Sequence, residues 1–239
     1  MGKLHKRLQE EIQRASRVVY ESETMQSSAP QINGSLRNFA LRVPDQISEC
    51  SGIVLFGKRI KSLVFTTDVA VIRNCNADAV FAVYPYTPQP IINEMLIHAA
   101  DVPVFTGVGG GLTQGKRVVN LAMFSEMQGA AGVVVNAPTS DKTIRKLYET
   151  IDIPIVVTML NAEGVRERIE HGTEILNVAA GSETASVVAK IRSIDQNIPI
   201  IATGGPSEES IVDTIKAGAN AIIWTPPSNK EVFKPVMEA

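Results

Sequence analysis

Short runs of β-branched apolar residues recur along the chain, and a segment with helical spacing of apolar residues follows each run. The runs predict eight strands, at Ser62–Thr66, Ala79–Tyr84, Pro103–Thr106, Gly132–Asn136, Pro154–Thr158, Ile175–Val178, Pro199–Thr203 and Ala221–Thr225. The helices that follow are predicted at Asp68–Asn76, Pro90–Ala100, Gly115–Gln128, Asp141–Ile151, Glu163–His171, Glu183–Asp195, Glu208–Ala217 and Lys230–Met237. The chain therefore contains eight consecutive strand–helix units.

The segments that lead into the strands alternate between two kinds of chemistry. A proline, which needs no ladder donor, opens the third, fifth and seventh strands, at Pro103, Pro154 and Pro199. A glycine suited to a helix C-cap precedes the fourth, sixth and eighth strands, at Gly129, Gly172 and Gly218. A two-unit module used four times is typical of a closed ring of parallel strands. We therefore predict an α/β fold, namely a (β/α)8 TIM barrel.

Residues 1–60 do not follow the strand–helix pattern. An apolar stripe typical of an amphipathic helix runs through Leu4, Leu8, Ile12, Val18 and Val19. We therefore divide the chain into an N-terminal helix-and-loop extension, residues 1–60, and the barrel, residues 61–239, within a single domain. The extension is predicted to pack on the barrel, and pairing of this helix in a homodimer is the alternative. Ile53–Phe56 is a further strand candidate, either as the first barrel strand or as part of an accessory hairpin.

Composition and charge exclude several classes of partner. The 239 residues carry 23 Lys and Arg against 25 Asp and Glu, so no basic excess favours nucleic acid. Aromatic residues make up 5% of the chain and leave few rings for base stacking. Cys50 and Cys75 are too few for a disulfide framework, and no apolar run reaches the roughly 18 residues of a membrane span. We expect a cytoplasmic protein that binds neither nucleic acid nor a membrane.

A barrel of this kind carries its chemistry at the C-terminal ends of its strands, and here those ends are rich in Thr, Asn and Gly. Four uncharged side chains are predicted to orient a ligand through hydrogen bonds, namely Asn136, Thr158, Asn177 and Thr203. No lysine lies within or directly after a predicted strand, so a strand-borne Schiff base is not expected. The three histidines lie on predicted helices without metal-ligand spacing, so no metal site is expected.

Two carboxylates and one lysine are candidates for chemistry at this face. Asp68 follows the first predicted strand and is a candidate general base, although its position also suits a helix cap. Glu163 is the second catalytic candidate. The glycine-rich stretch GVGGGLTQGKR, residues 107–117, lacks the phosphate-loop motif because Arg117 follows Lys116. We interpret it as a flexible loop over the mouth, with Lys116 either turned toward an anionic ligand or solvated.

Two adjacent glycines, Gly204 and Gly205, end the seventh predicted strand in the stretch IATGGPSEES, residues 201–210. Glycines at this point clear the N-terminus of the next helix, so that an anion can reach backbone N–H groups. A tight turn that needs glycine for steric reasons is the alternative explanation. Gly181, Ser182 and Ser228 follow the neighbouring strands and would complete a phosphate site.

The segment Pro199–Gly205, together with Ala217–Ala221, resembles the closing quarter of the ribulose-phosphate-binding and related phosphate-binding barrels. That superfamily includes tryptophan-pathway barrels, FMN-dependent barrels and glycerol-operon antiterminator-like proteins. The whole chain also resembles bacterial barrel proteins labelled as hydrolases. The likeness does not extend before Ser62, and Pro226-Pro227 departs from the family by removing two backbone donors after the last strand.

The resemblance implies an enzyme that acts on a small phosphorylated metabolite by non-redox chemistry of the isomerase, lyase or hydrolase type. Gly181, Ser182, Gly204, Gly205 and Ser228 would hold the phosphate. A non-catalytic barrel that senses a phosphorylated metabolite, similar to the antiterminator proteins, is one alternative. A barrel that binds FMN is another, and no other cofactor is expected.

Overall fold

The computed structural model of this protein describes residues 41–205 and 207–237. The predicted N-terminal amphipathic helix, with Leu4, Leu8 and Ile12, lies outside the described residues. The chain divides into two units, Met1–Asn38 and Phe39–Ala239, and the fold that follows is that of the second unit. Among the described helices, none has the length and continuous apolar character needed to cross a membrane.

Eight parallel strands close into a barrel, and a short antiparallel hairpin precedes them. The hairpin consists of β1 (Ile53–Leu55) and β2 (Lys58–Ile60). The barrel strands are β3 (Ser62–Phe65), β4 (Ala79–Ala82), β5 (Val104–Gly109), β6 (Gly132–Val135), β7 (Ile155–Met159), β8 (Ile175–Val178), β9 (Ile200–Thr203) and β10 (Ala221–Trp224). Each strand pairs with its neighbours in sequence, and β10 closes the ring by pairing with β3.

An α-helix follows every barrel strand. The helices are α1 (Val69–Arg73), α2 (Pro90–Ala99), α3 (Lys116–Met127), α4 (Asp141–Tyr148), α5 (Val165–Glu170), α6 (Thr184–Ile194), α7 (Glu208–Lys216) and α8 (Asn229–Met237). Short 3-10 turns lie at Asp45–Glu49 and Gly181–Glu183. The predicted (β/α)8 TIM barrel is confirmed, because each predicted strand and helix overlaps an observed one.

The glycines predicted to end helices adopt the backbone conformation that this role requires. Gly172 and Gly218 have φ values of 105° and 110°, in the region that a side chain disfavours. A Cβ on Gly172 would also lie 2.5 Å from Cβ of Tyr148 in α4. These positions therefore need glycine both for the turn and for the close approach of neighbouring units.

Alternate residues of the strands fill the barrel interior. The buried inward-facing side chains form one cluster, which includes Leu63, Ala79, Phe81, Phe105, Val134, Val156, Ile175, Ile201, Ala221 and Ile223. The residues between them face the helices, as Val64 and Val80 do in the cluster beneath α1 and α2. Because the side chains of a strand alternate in direction, the last inward-facing residue of each strand points into the C-terminal mouth.

The hairpin covers the opposite, N-terminal end of the barrel. Leu55 and Ile60 belong to the same buried cluster as the barrel interior. Asn220, just before β10, secures the hairpin: its carbonyl accepts from Gly52 N (2.8 Å) and its side chain donates to Ser51 Oγ (2.9 Å). Ile53–Phe56 is thus part of an accessory hairpin and not the first barrel strand, and the hairpin leaves the C-terminal end as the open face.

Because Ile60 closes the barrel floor, its truncation should be costly. Ile60 is 2% exposed, and we expect Ile60→Ala to lower the free energy of unfolding by about 2–5 kcal/mol through lost burial and a cavity. The control is Val54→Ala in the same hairpin, since Val54 is 60% exposed and should change stability by less than about 0.5 kcal/mol. Chemical denaturation measures both variants, and equal losses would show that the hairpin does not seal the barrel.

Candidate functional site

Eight side-chain positions point inward at the C-terminal mouth, one from each barrel strand or the residue just beyond it. By strand alternation they are Phe65, Val83, Gly107, Asn136, Thr158, Asn177, Thr203 and Thr225. The β3–β4 side of the mouth is apolar, with Phe65 and Val83. The β6–β9 side contains the four residues predicted to orient a ligand, and all four are uncharged. The mouth is therefore two-sided and contains no titratable group in this inward-facing ring.

Two of the predicted orienting residues bond to each other. Asn177 pairs with Thr158 in the β7–β8 register, and its Nδ2 donates to Thr158 Oγ1 at 3.1 Å. Asn177 is 4% exposed, and its Oδ1 is buried without a hydrogen-bond partner among the described residues. A buried carbonyl oxygen with no donor is costly, because it loses its bonds to water and gains none in exchange. Asn177 thus keeps an unused acceptor below the mouth.

A cavity of about 590 Å³ opens where β8 and β9 end and α6 and α7 begin. We refer to it as the β8–β9 pocket. Its walls are Gly181, Ser182, Thr184, Ala185, Thr203, Gly204, Gly205, Ser210, Asp213 and Thr214. Four of the five predicted phosphate-binding residues are in this set, while Ser228 is not. The structure therefore brings together Gly181, Ser182, Gly204 and Gly205 from two separate loops.

The backbone N–H groups of these four residues differ in availability. Gly204 N donates to the carbonyl of Ile223 at 3.2 Å, so the predicted role of its amide in holding phosphate is not available. Within residues 41–205 and 207–237, no acceptor is found for the N–H groups of Gly181, Ser182 or Gly205. The backbone donors available to a bound anion are therefore the N–H groups of Gly181, Ser182 and Gly205.

Local packing accounts for both glycines of the IATGG stretch. A Cβ on Gly204 would lie 2.9 Å from Cγ2 of Ile222, in the contact between β9 and β10. A Cβ on Gly205 would lie 2.7 Å from Cβ of Ser210. Ser210 is needed where it is, because its Oγ donates to the carbonyl of Ser207 (2.7 Å) and its N–H donates to Ser207 Oγ (3.3 Å), which caps α7. The steric explanation holds for both positions, and the anion explanation adds to it only at Gly205.

The β8–β9 pocket offers neutral donors and one carboxylate. Thr184 Oγ1 donates to the carbonyl of Gly181 (2.9 Å) and accepts from Ala180 N (3.2 Å), which fixes the shape of the β8–α6 loop. The side chain of Asp213 lines the wall one helical turn below Ser210, and no lysine or arginine is among the lining residues. An anion bound here would depend on backbone N–H groups and helix N-termini.

Asp68 lies in a second cavity, of about 470 Å³, between the loops after β3 and β10. Its Oδ1 accepts from Ala70 N at 2.7 Å and from Val71 N at 3.3 Å, and its Oδ2 accepts from Asn229 Nδ2 at 3.1 Å. The hydrogen bond from Asn229 and those from the backbone lower the pKa of Asp68. The carboxylate is therefore an N-cap of α1 with both oxygens engaged, as the capping interpretation predicts.

Ser228 also serves as a helix cap, because its Oγ accepts from Glu231 N at 3.3 Å. Its backbone N–H and its Oγ donate to the carboxylate of Glu231, at 2.8 and 2.7 Å. These two bonds lower the pKa of Glu231. Because its N–H is engaged and it lines the cavity of Asp68, Ser228 is separate from the β8–β9 pocket.

The glycine-rich segment forms a tight turn. Strand β5 extends to Gly109, three residues beyond its predicted end, with a register shift between Gly107 and Gly109. Gly110 N donates to the carbonyl of Thr113 at 2.9 Å, and a Cβ on Gly110 would lie 2.6 Å from Asn136 N. The start of this loop packs against β6 and borders a cleft of about 100 Å³ beside Val83, and the flexibility of the loop stays a prediction.

Lys116 and Glu163 do not line the cavities described above. Lys116 is the exposed first residue of α3. Glu163 is exposed in the turn before α5, where its N–H donates to Asn161 Oδ1 at 2.9 Å. Among the described residues, no group of three or more His, Cys, Asp and Glu side chains is placed to hold a metal ion.

Three residues near the mouth escaped the sequence reasoning. Asn229 bonds to Asp68 across the ring, and Asp213 lines the β8–β9 pocket. Tyr84 accepts from Gln89 N at 3.0 Å through its hydroxyl, which lies 3.5 Å from Oδ1 of Asn93. Of the three, only Asp213 could have been found from the sequence, because it follows Ser210 by one helical turn and therefore lies on the same face of the helix. The other two contacts depend on which loops meet in space.

The fold is shared with solved enzyme structures of low sequence identity. A 4-hydroxy-tetrahydrodipicolinate synthase from Methylacidiphilum fumariolicum SolV aligns with a TM-score of 0.56 and 12% identity over 70% of this chain and 68% of that chain. A thiamine phosphate pyrophosphorylase from Pyrococcus furiosus aligns with a TM-score of 0.54 and 17% identity over 69% and 84%. A dihydrodipicolinate synthase from Aquifex aeolicus gives 0.51 and 14% over 63% and 59%, so the chain spans less than two thirds of that protein.

These similarities support a TIM-barrel fold for this chain. They do not assign the chain to a protein family. No protein-family model matches the sequence. No curated protein matches it either. The site must therefore be interpreted from its own geometry.

The capping geometry of Asp68 predicts a stability effect that depends on pH. We expect Asp68→Ala to lower the free energy of unfolding by about 1 kcal/mol at pH 7, because α1 loses its cap. The folded pKa is lowered, so the contribution of the carboxylate is present above the unfolded pKa of about 3.9 and is lost as pH falls through the folded value.

Urea unfolding of wild type and variant between pH 7 and pH 2 measures this effect. The difference should shrink below about pH 4. Asp68→Asn is the matched control, since asparagine also caps helices well, and it should stay close to wild type at pH 7. Identical stability of Asp68→Ala and wild type would contradict the capping role.

Proposed function

We propose that this protein is a TIM-barrel enzyme that binds a small phosphorylated metabolite at the C-terminal face and converts it by non-redox chemistry, of the isomerase, lyase or hydrolase type. The observation that carries the proposal is the β8–β9 pocket. The N–H groups of Gly181, Ser182 and Gly205, which lack acceptors among the described residues, border a cavity of about 590 Å³. Phosphate oxygens are acceptors that suit several converging N–H groups beside helix N-termini.

The position of the pocket also supports the proposal. Phosphate groups in barrels of this fold are often held by the loops after the seventh and eighth strands and by a helix N-terminus, and the β8–β9 pocket shares the first of these two loops. Here the pocket lies after the sixth and seventh barrel strands, next to the short 3-10 turn Gly181–Glu183. The solved neighbours are named as synthases and a pyrophosphorylase, which supports an enzyme without identifying its substrate.

Proton transfer is the chemical step that the described residues could support. Asp68 would be the acceptor, because its carboxylate lines a cavity together with the mouth residues Phe65 and Thr225, and β10 pairs with β9 of the β8–β9 pocket. Asp68 Oδ2 would then have to give up the hydrogen bond that it accepts from Asn229 and accept one from the ligand instead. Glu163, outside the described cavities, would need a rearrangement of its loop, so Asp68 is the stronger catalytic candidate.

A non-catalytic barrel that senses a phosphorylated metabolite is the second candidate. The inward-facing mouth ring of eight residues favours it, because that ring holds no titratable side chain. Both candidates use the same phosphate site, and they differ in whether the bound ligand is converted.

An added negative charge at the pocket should weaken phosphate binding. Ser182 is exposed at the pocket, and we expect Ser182→Asp to weaken the binding of inorganic phosphate by at least about tenfold through like-charge repulsion. The matched control is Ser193→Asp, which adds the same charge at an exposed position on α6. That position is about 16 Å further along the chain, beyond the screening length of about 8 Å.

Calorimetric titration with inorganic phosphate measures the affinities. Amide NMR spectra locate the site, since the signals of Gly181, Ser182 and Gly205 should shift on titration. Wild-type protein that does not bind phosphate at up to about 10 mM, in the weak range for an isolated anion, would refute the proposal. Equal affinities of the two variants would refute the assignment to this pocket.

A further inference from the structure

Among the eight inward-facing mouth residues, Asn177 is the one with a buried polar atom that lacks a partner among the described residues. It is 4% exposed and lies on the inward-facing side of β8, above Ile175 of the barrel core. Its Nδ2 is bonded to Thr158, whereas its Oδ1 has no partner among the described residues. An apolar side chain would fill this position without an unsatisfied group, so the amide needs a reason other than packing.

A second buried asparagine shows what a structural amide looks like in this protein. Asn93 in α2 is 1% exposed, and both ends of its amide have partners. Its Nδ2 donates to Ser125 Oγ at 3.1 Å, and its Oδ1 accepts from the hydroxyl of Tyr84 at 3.5 Å. Asn93 thereby links α2, α3 and the β4–α2 loop. Asn177 differs, because its Oδ1 has no donor among the described residues.

An exposed aromatic ring stands on the other side of the mouth. Phe65 follows Leu63 on the inward face of β3 and remains 39% exposed, although it is apolar. Its ring lies 6.3 Å from that of Phe81, which is buried in the barrel core, and Val83 continues the apolar wall. An eight-stranded barrel is just wide enough for side chains from its walls to meet. Phe65 on β3 and Asn177 on β8 are separated in the ring by β9 and β10, so both face one narrow mouth.

We propose that the mouth binds an uncharged ligand group that has one polar and one apolar side. A hydroxyl or N–H group on its polar side donates a hydrogen bond to Asn177 Oδ1, and its apolar side packs on Phe65. Asn177 then determines specificity, because a ligand without the donor leaves the buried oxygen unsatisfied. The inward-facing ring contains no basic side chain, and Asp68 lines the same cavity as Phe65, so an anionic group is disfavoured at this position. This inference rests on the proposed function, since it describes the part of the ligand next to the proposed phosphate site.

The stability of two matched variants gives the first test, without any ligand. We expect Asn177→Leu to leave the Tm unchanged or to raise it by up to about 4 °C, because the unsatisfied oxygen is removed. Asn93→Leu makes the same change at the asparagine with two bonded ends and should lower the Tm by about 4–10 °C. A loss at Asn177→Leu as large as that at Asn93→Leu would mean that Oδ1 is satisfied within the fold, and would overturn the inference.

Three probes of one shape give the second test. Benzamide carries an apolar ring and an N–H donor, acetophenone lacks the donor, and benzoate replaces it with a charge. NMR titration should show benzamide shifting the side-chain signals of Asn177 and Phe65, with acetophenone and benzoate at least about tenfold weaker. In Asn177→Leu this preference for benzamide should disappear.

The outcomes separate this inference from the proposed function. Equal affinity for benzamide and acetophenone, or a preference that survives Asn177→Leu, would overturn the inference, even if inorganic phosphate still binds at the β8–β9 pocket. Loss of phosphate binding with an intact, Asn177-dependent preference for benzamide would refute the phosphate site and retain the role of Asn177.

Discussion

The pairing of β10 with β3 is the constraint on which the rest of this molecule depends. The last strand of the barrel lies beside the first, and their paired residues are Ile222 with Ser62, Ile223 with Leu63 and Trp224 with Val64. Closure removes the sheet edges, and the helix between successive strands keeps all eight strands parallel. The C-terminal ends of strands far apart in sequence therefore surround one mouth.

Closure also gives the two ends of each strand different roles, with core packing at the N-terminal end and polar side chains at the C-terminal end. The buried lower part of the barrel is filled by apolar side chains, and the β1–β2 hairpin covers it from the N-terminal side. The upper inward-facing positions are free of that packing requirement, and there the residues become polar on one side and apolar on the other. Asn177 lies at the boundary, where its Nδ2 donates to Thr158 and its Oδ1 has no donor within residues 41–205 and 207–237.

The two glycines at the end of β9 show how a steric need and a binding site can coincide. Gly204 and Gly205 allow β10 and the cap of α7 to approach closely. The same absence of side chains leaves the β8–β9 pocket open beside the amide of Gly205, for which the described part of the chain provides no acceptor. The proposed anion site would thus follow from tight βα turns and would need no charged side chain, and Asp213 is the one titratable residue among the described residues that line the pocket.

The sequence by itself determined the eight strand–helix units, their order and the helix-ending glycines, because apolar periodicity and turn chemistry are local properties of the chain. It also located the polar strand ends, since position along a strand is readable from the pattern. The tertiary structure decided which of those ends meet. It showed that Ile53–Phe56 belongs to a hairpin, that Asn229 bonds to Asp68, and that the amide of Gly204 is engaged by Ile223. Each of these contacts joins residues through loop geometry or neighbouring-strand register, and no local pattern in the chain encodes which partner a hydrogen-bonding group will find.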